Sequence, residues 1–174
     1  VCFTAPDLAI IDTSTPSGPA FSITEDANND GTINKAEAIG DADVKVSFDG
    51  SKVAVGDKVQ ITSGSTTHEV AITDADKTAG YVTTSFTPQA DGTTMTVTAV
   101  IVDAAGNKSA EGSDSALIDT AVPNGGSAPI VEITEDANGD GLINKAEAIG
   151  DADVKVSFNG PQVAVGDTVK VTSG

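Results

Sequence analysis

The chain has one cysteine, no tryptophan and no arginine, and its nine basic residues are all lysine. A single thiol, Cys2, excludes an internal disulfide. The missing arginines and scarce aromatics argue against nucleic acid, which needs basic contacts to phosphate and rings for stacking. No apolar run reaches the roughly 18 residues of a membrane helix, and no leader-like segment stands in this piece. His68 is the sole histidine, and no G-x-S-x-G or comparable nucleophile motif accompanies it. Its parity with Val70 and Ile72 predicts a half-buried place at a strand edge. Glycosidase-type carboxylate pairing has no better support, so the chain reads as non-enzymatic. What is abundant is acid: 26 Asp and Glu give a net charge of −17. Such a surface repels itself and stays soluble, and part of the charge can also serve a cation.

The acids are patterned. Asp26 to Glu37 reads DANNDGTINKAE, the form D-x-N-x-D-G-x-I-x-x-x-E of the EF-hand calcium loop. Asp26, Asn28 and Asp30 place oxygens at positions 1, 3 and 5. Gly31 permits the sharp turn, Thr32 offers a carbonyl, Asn34 ligates directly or through water, and Glu37 has the reach for bidentate binding. Hard oxygen donors in that number predict Ca²⁺ rather than Zn²⁺ or Mg²⁺. The competing reading is a polar Asp/Asn/Gly turn between strands. An EF-hand's flanking helices are not expected: AFSITE (20–25) alternates like a strand, and 35–39 suits only a helical turn or two before Gly40.

The loop recurs 110 residues later as DANGDGLINKAE, with Asp136, Asn138, Asp140, Leu142, Asn144 and Glu147 in the ligand positions. Residues 23–64 and 133–174 are identical at 34 of 42 positions. Inside the loop only Asn29/Gly139 and Thr32/Leu142 differ, neither needed as a side-chain ligand. Elsewhere the differences fall at polar or turn positions, apart from Ile61/Val171. LAIIDTSTP (8–16) also resembles ALIDTAVP (116–123). The expected organisation is therefore residues 1–15 as the last strand and linker of one repeat, 16–122 as a complete module, and 123–174 as the first half of the next.

Within 16–122, period-2 alternation and turn signals predict seven strands: 20–25, 43–48, 58–62, 67–73, 81–87, 94–102 and 113–119. Val44, Val46, Phe48, Val59, Ile61, Val70, Ile72, Val82, Phe86, Met95, Val97, Ala99 and Ile101 are the expected core. The acidic stretch DADKTAG (74–80) is expected to be a loop. Seven short strands in about 107 residues predict an all-β, immunoglobulin-like sandwich, without the Cys…Trp…Cys of antibody domains. For 123–174 the same reading gives three strands whose apolar face, Val154, Val156, Phe158, Val169 and Val171, has no second sheet to cover it.

VDAAGNKSA (102–110) before the last strand, followed by the twice-used D-T-x-x-P linker, resembles the Ig-like extender repeats of giant bacterial surface adhesins. These are biofilm-associated, RTX-type proteins exported by type I secretion. The resemblance implies an extracellular, cell-surface spacer whose partners are neighbouring repeats of the same chain, with no nucleic acid and no membrane insertion. It also implies calcium near module junctions, for which Glu25, Asp103, Asn107 and Asp119 are the candidates. The alternative role is a glycan- or protein-binding module attached to a secreted enzyme. That role calls for an exposed aromatic platform, and one tyrosine with no tryptophan supplies little.

Overall fold

A computed structural model describes residues 11–173, which are almost entirely strand, turn and extended chain. They divide into two units, one ending at Thr120 and one beginning at Ala121. The last strand and linker expected in 1–15 lie largely outside the described residues, as does Cys2.

In the first unit the strands are β1 (Ala20–Ile23), β2 (Thr32–Asn34), β3 (Ala42–Ser47), β4 (Lys58–Ser63), β5 (Thr66–Ala71), β6 (Tyr81–Phe86), β7 (Thr94–Val102) and β8 (Gly112–Asp119). They make a three-stranded sheet in the order β1-β3-β6 and a five-stranded sheet in the order β2-β8-β7-β4-β5. Every pairing is antiparallel except β2 with β8, which run parallel from Thr32↔Leu117 to Asn34↔Asp119.

Alternation builds the core. Along β7, Met95, Val97, Ala99 and Ile101 are buried, while Thr94 and Thr96 are exposed. Val59 and Ile61 of β4 and Ala116 and Ile118 of β8 share that cluster. From the three-stranded sheet Ile23, Val44, Val46, Val82 and Phe86 enter the same cluster, with Phe48 and Val70 partly buried against it. All the expected core residues are thus placed in or against one apolar core.

Two expectations change. The stretch 74–80 is not a loop: Asp74–Ala79 form a short helix, α1. Thr73 caps it, accepting from the Asp76 N–H and donating its hydroxyl to Asp76 Oδ2, and the left-handed Gly80 closes it. The second change is β2, three residues inside the candidate metal loop that the seven-strand reading did not include.

In the second unit β9 (Ile130–Ile133) and β10 (Val154–Ser157) pair antiparallel, in the register of their first-unit counterparts β1 and β3. The third strand expected there does not form: residues 168–173, the counterpart of β4, carry no strand pairing. A strand is a property of a pair, and β4 is held between β5 and β7.

Candidate metal loops

The loop 26–37 lies where the chain leaves the three-stranded sheet, after β1, and joins the five-stranded sheet as β2. Asp26 organises it. Its Oδ1 accepts the N–H of Asp30 at 3.1 Å and its Oδ2 the N–H of Gly31 at 2.8 Å. Asn28 Oδ1 takes a second bond from the Asp30 N–H (2.9 Å), and Asp30 Oδ1 takes the Thr32 N–H (2.9 Å). Positions 1, 3 and 5 are therefore gathered around one turn. A carboxylate has about four acceptor sites, so two bonds leave Asp26 able to take a cation. The Gly31 carbonyl then accepts from Leu117 N–H at 2.8 Å, tying the loop to β8.

Positions 4 and 6 are left-handed. Asn29 has φ 56° and Gly31 φ 83°; in the second copy Gly139 has φ 70° and Gly141 φ 81°. Asn and Gly are the residues that tolerate that conformation, which explains why position 4 varies only between these two.

The far end of the loop is arranged differently. Glu37 Oε2 accepts from the Asn34 N–H (3.1 Å) and from Asn34 Nδ2 (2.6 Å), while Asn34 Oδ1 takes the Ala36 N–H (2.8 Å). Residues 34–38 make one helical turn, closed by Ala38 N–H on the Asn34 carbonyl. Among the described residues no group of three or more His, Cys, Asp or Glu side chains gathers closely enough to hold a metal ion. Asp26, Asn28 and Asp30 are brought together, and Asn34 and Glu37 form a second cluster that faces inward on itself.

The second loop repeats the pattern. Asp136 accepts from Asp140 (3.1 Å) and Gly141 (2.8 Å), Asp140 from Leu142 (2.8 Å), and Glu147 from the Asn144 N–H (3.0 Å) and Nδ2. The difference is burial: Asp26 is 8 % exposed, whereas Asp136 is only half-buried.

The four junctional candidates are not one cluster. Asp103 and Asn107 stand together at the end of β7, beside the start of β8. Asp119 ends β8 opposite Asn34, roughly 23 Å of strand away. Glu25 is turned to the N–H of Ile39, at 3.0 Å. The side chain of Asn107 hydrogen-bonds Asp103 Oδ2 at 2.9 Å and holds its carboxyl below the ordinary range, helped by three N–H donors.

Several acids that the sequence reading passed over hold the frame. Asp114 Oδ2 accepts from Ile23 N–H at 2.9 Å, bridging the two sheets. Buried Asp57 accepts from Ala54 N–H at 2.7 Å, and Asp91 Oδ1 takes the N–H and hydroxyl of Thr120. Only Asp57, next to Gly56 in a V-A-V-G-D turn, carries a local signal.

His68 is half-buried on β5, with Nδ1 2.9 Å from Thr84 Oγ1 and its ring stacked 4.6 Å from that of Phe86. It lines a polar cleft of about 530 Å³ with Ser63, Ser65, Thr66 and Gln89. The Phe86 ring at the cleft is covered by His68, and Tyr81, outside the cleft, lies under Lys45 Nζ at 4.2 Å. No helix among the described residues is long and apolar enough to cross a membrane. Compared with known proteins, the chain matches no family model and no curated sequence.

Proposed function

We propose that this chain is a calcium-stiffened structural spacer from a large bacterial cell-surface adhesin, serving adhesion and biofilm formation outside the cell. In this reading it consists of tandem immunoglobulin-like modules, secreted and strung together, each with an EF-type loop near its start. The observation that carries it is the place of the loop. It follows β1 of one sheet, carries β2 of the other, and is bonded to β8 through Gly31 and Leu117. Ordering the loop therefore ties both sheets to the strand that leads out of the module.

The donors suit Ca²⁺: carboxylate, amide and carbonyl oxygens, with no thiolate or imidazole. Asp26, Asn28 and Asp30 would hold the ion from one side, with the Thr32 carbonyl, Asn34 and Glu37 completing the set, as would Asp136, Asn138, Asp140, Leu142, Asn144 and Glu147 in the second loop. Glu37 would exchange the Asn34 amide for the ion. A bound ion would supply charge neutralisation and a cross-link, and no catalytic chemistry is needed. The alternative, a glycan-binding module, has less support because the open polar cleft lacks an aromatic platform.

Melting in EGTA and in millimolar Ca²⁺ tests the reading. At 100 times its Kd, one site specific to the folded state adds about 2.7 kcal/mol, enough for a clear rise in Tm. An unchanged melting curve removes calcium from the account.

A further inference from the structure

Asp103 and Asn107 close a tight turn between β7 and β8. Asp103 Oδ1 accepts from Ala105 N–H (2.9 Å) and Asn107 N–H (2.8 Å), and Oδ2 from Asn107 Nδ2 (2.9 Å). This fixes the Asn107 amide. Nδ2 carries two hydrogens, and it also donates to the backbone carbonyl of Asp12, 95 residues earlier, at 3.1 Å. The incoming segment stays pressed to the same stretch of chain. A Cβ on Gly18 would stand 3.2 Å from the Ala110 carbonyl oxygen, and one on Gly112 would stand 2.4 Å from that of Pro19. The segment 12–19 thus meets 103–112 at both ends, through Asp12 and through Gly18 and Pro19.

Asp12 belongs to IDTSTP (11–16), and a similar motif returns as IDTAVP (118–123), which starts in the last two residues of β8. The two copies stand at opposite ends of the first unit: Asp12 at the 103–107 turn, Asp119 at the far end of β8. The exit of one module therefore has the sequence of the segment that docks at the entrance of another.

We propose that the Asp103–Asn107 turn is a receptor for the I-D-T-x-x-P segment of the preceding module, so that modules are joined by a hydrogen-bonded cleat needing no metal. The inference rests on the tandem-spacer reading, but not on calcium. Both hydrogens of Asn107 Nδ2 are engaged, one by Asp103 Oδ2 and one by the Asp12 carbonyl, so hydrogen bonds alone close the contact.

Backbone ¹⁵N relaxation on the full chain decides it. Residues 11–16 should have order parameters near the rigid value of about 0.85, and the same in EGTA as in Ca²⁺. Asn107→Ala should drop them below about 0.6 with the signals of β4 and β7 unmoved. Gly18→Ala, which leaves Asn107 intact, should loosen them too by lifting the segment from Ala110. Mobility of 11–16 in the unaltered chain, or rigidity in both variants, overturns the proposal. So does rigidity that appears only with calcium, which would make the joint metallic. A missing calcium shift in Tm would sink the calcium reading and leave this one standing.

Discussion

Asn29 occupies a backbone conformation with φ 56° that a branched side chain resists. A residue other than Gly, Asn or Asp there costs about 1–2 kcal/mol. Asn29→Gly, the residue of the second copy, should therefore leave Tm nearly unchanged, while Asn29→Val should destabilise by that amount in urea melts, with or without calcium. Asp26 and Glu37 separate the loop's two roles. Asp26 accepts two backbone N–H groups and is largely buried, so its loss unties the loop itself. Hydrogen bonds to a charged group contribute about 1.5–3 kcal/mol, and Asp26→Ala should lower stability by about that much even in EGTA. Glu37→Gln keeps an oxygen for Asn34 and should be nearly silent in EGTA, yet remove most of the calcium shift. Equal effects of the two substitutions in EGTA would show that Asp26 is not the organiser.

The element that sequence periodicity hid is α1. It is six residues long and buries none of them, so it has no apolar stripe to reveal it. It exists through its ends, Thr73 and Gly80. Thr73→Ala removes the reciprocal cap and should cost about 1 kcal/mol, seen as loss of helical ¹³Cα shifts over 74–79 with the sheets intact. The cap also fixes the pH response. The Thr73 hydroxyl, then its N–H, hold the Asp76 carboxyl below its ordinary 3.8. A depressed folded pKa means the stabilisation is complete above 3.8 and is lost as pH falls through the lowered value. The 74–79 shifts should stay constant from neutrality down to that range and collapse only below it. The strands, by contrast, were legible because burial alternates strictly, as along β7. β2 was not, because TIN is three residues long and already part of the D-x-N-x-D-G loop. The loop's ligand letters could be read directly, and so could its insertion between strands. Its bond to β8 and the meeting of Asp12 with Asn107 depend on topology, which no local pattern encodes.

At the scale of the whole chain, one sequence is placed in two environments. Ile23, Val44 and Val46 are at most 1 % exposed beneath the five-stranded sheet. Their counterparts Ile133 and Val154 are 50 % and 44 % exposed, and Phe158 and Val169 are about half exposed too. Covering a Val, Ile or Phe side chain contributes roughly 1.5–3 kcal/mol, so the second unit lacks several such terms that the first one has. It keeps a two-stranded ribbon, β9 with β10, and such a ribbon alone is marginal in water. The 42-residue near-identity therefore should not produce equal stability. Amide exchange on the 174-residue chain at low concentration should show slow amides in β3, β4, β7 and β8 that open only with global unfolding. In β9 and β10 exchange should be close to that of free chain, in Ca²⁺ as well as in EGTA, because a cation at Asp136–Glu147 cannot replace the absent sheet. Strong protection of 130–133 and 154–157 in a monomer would mean that the repeat stabilises itself without a second sheet. Protection that appears only as concentration rises would instead show a second copy covering the exposed apolar face.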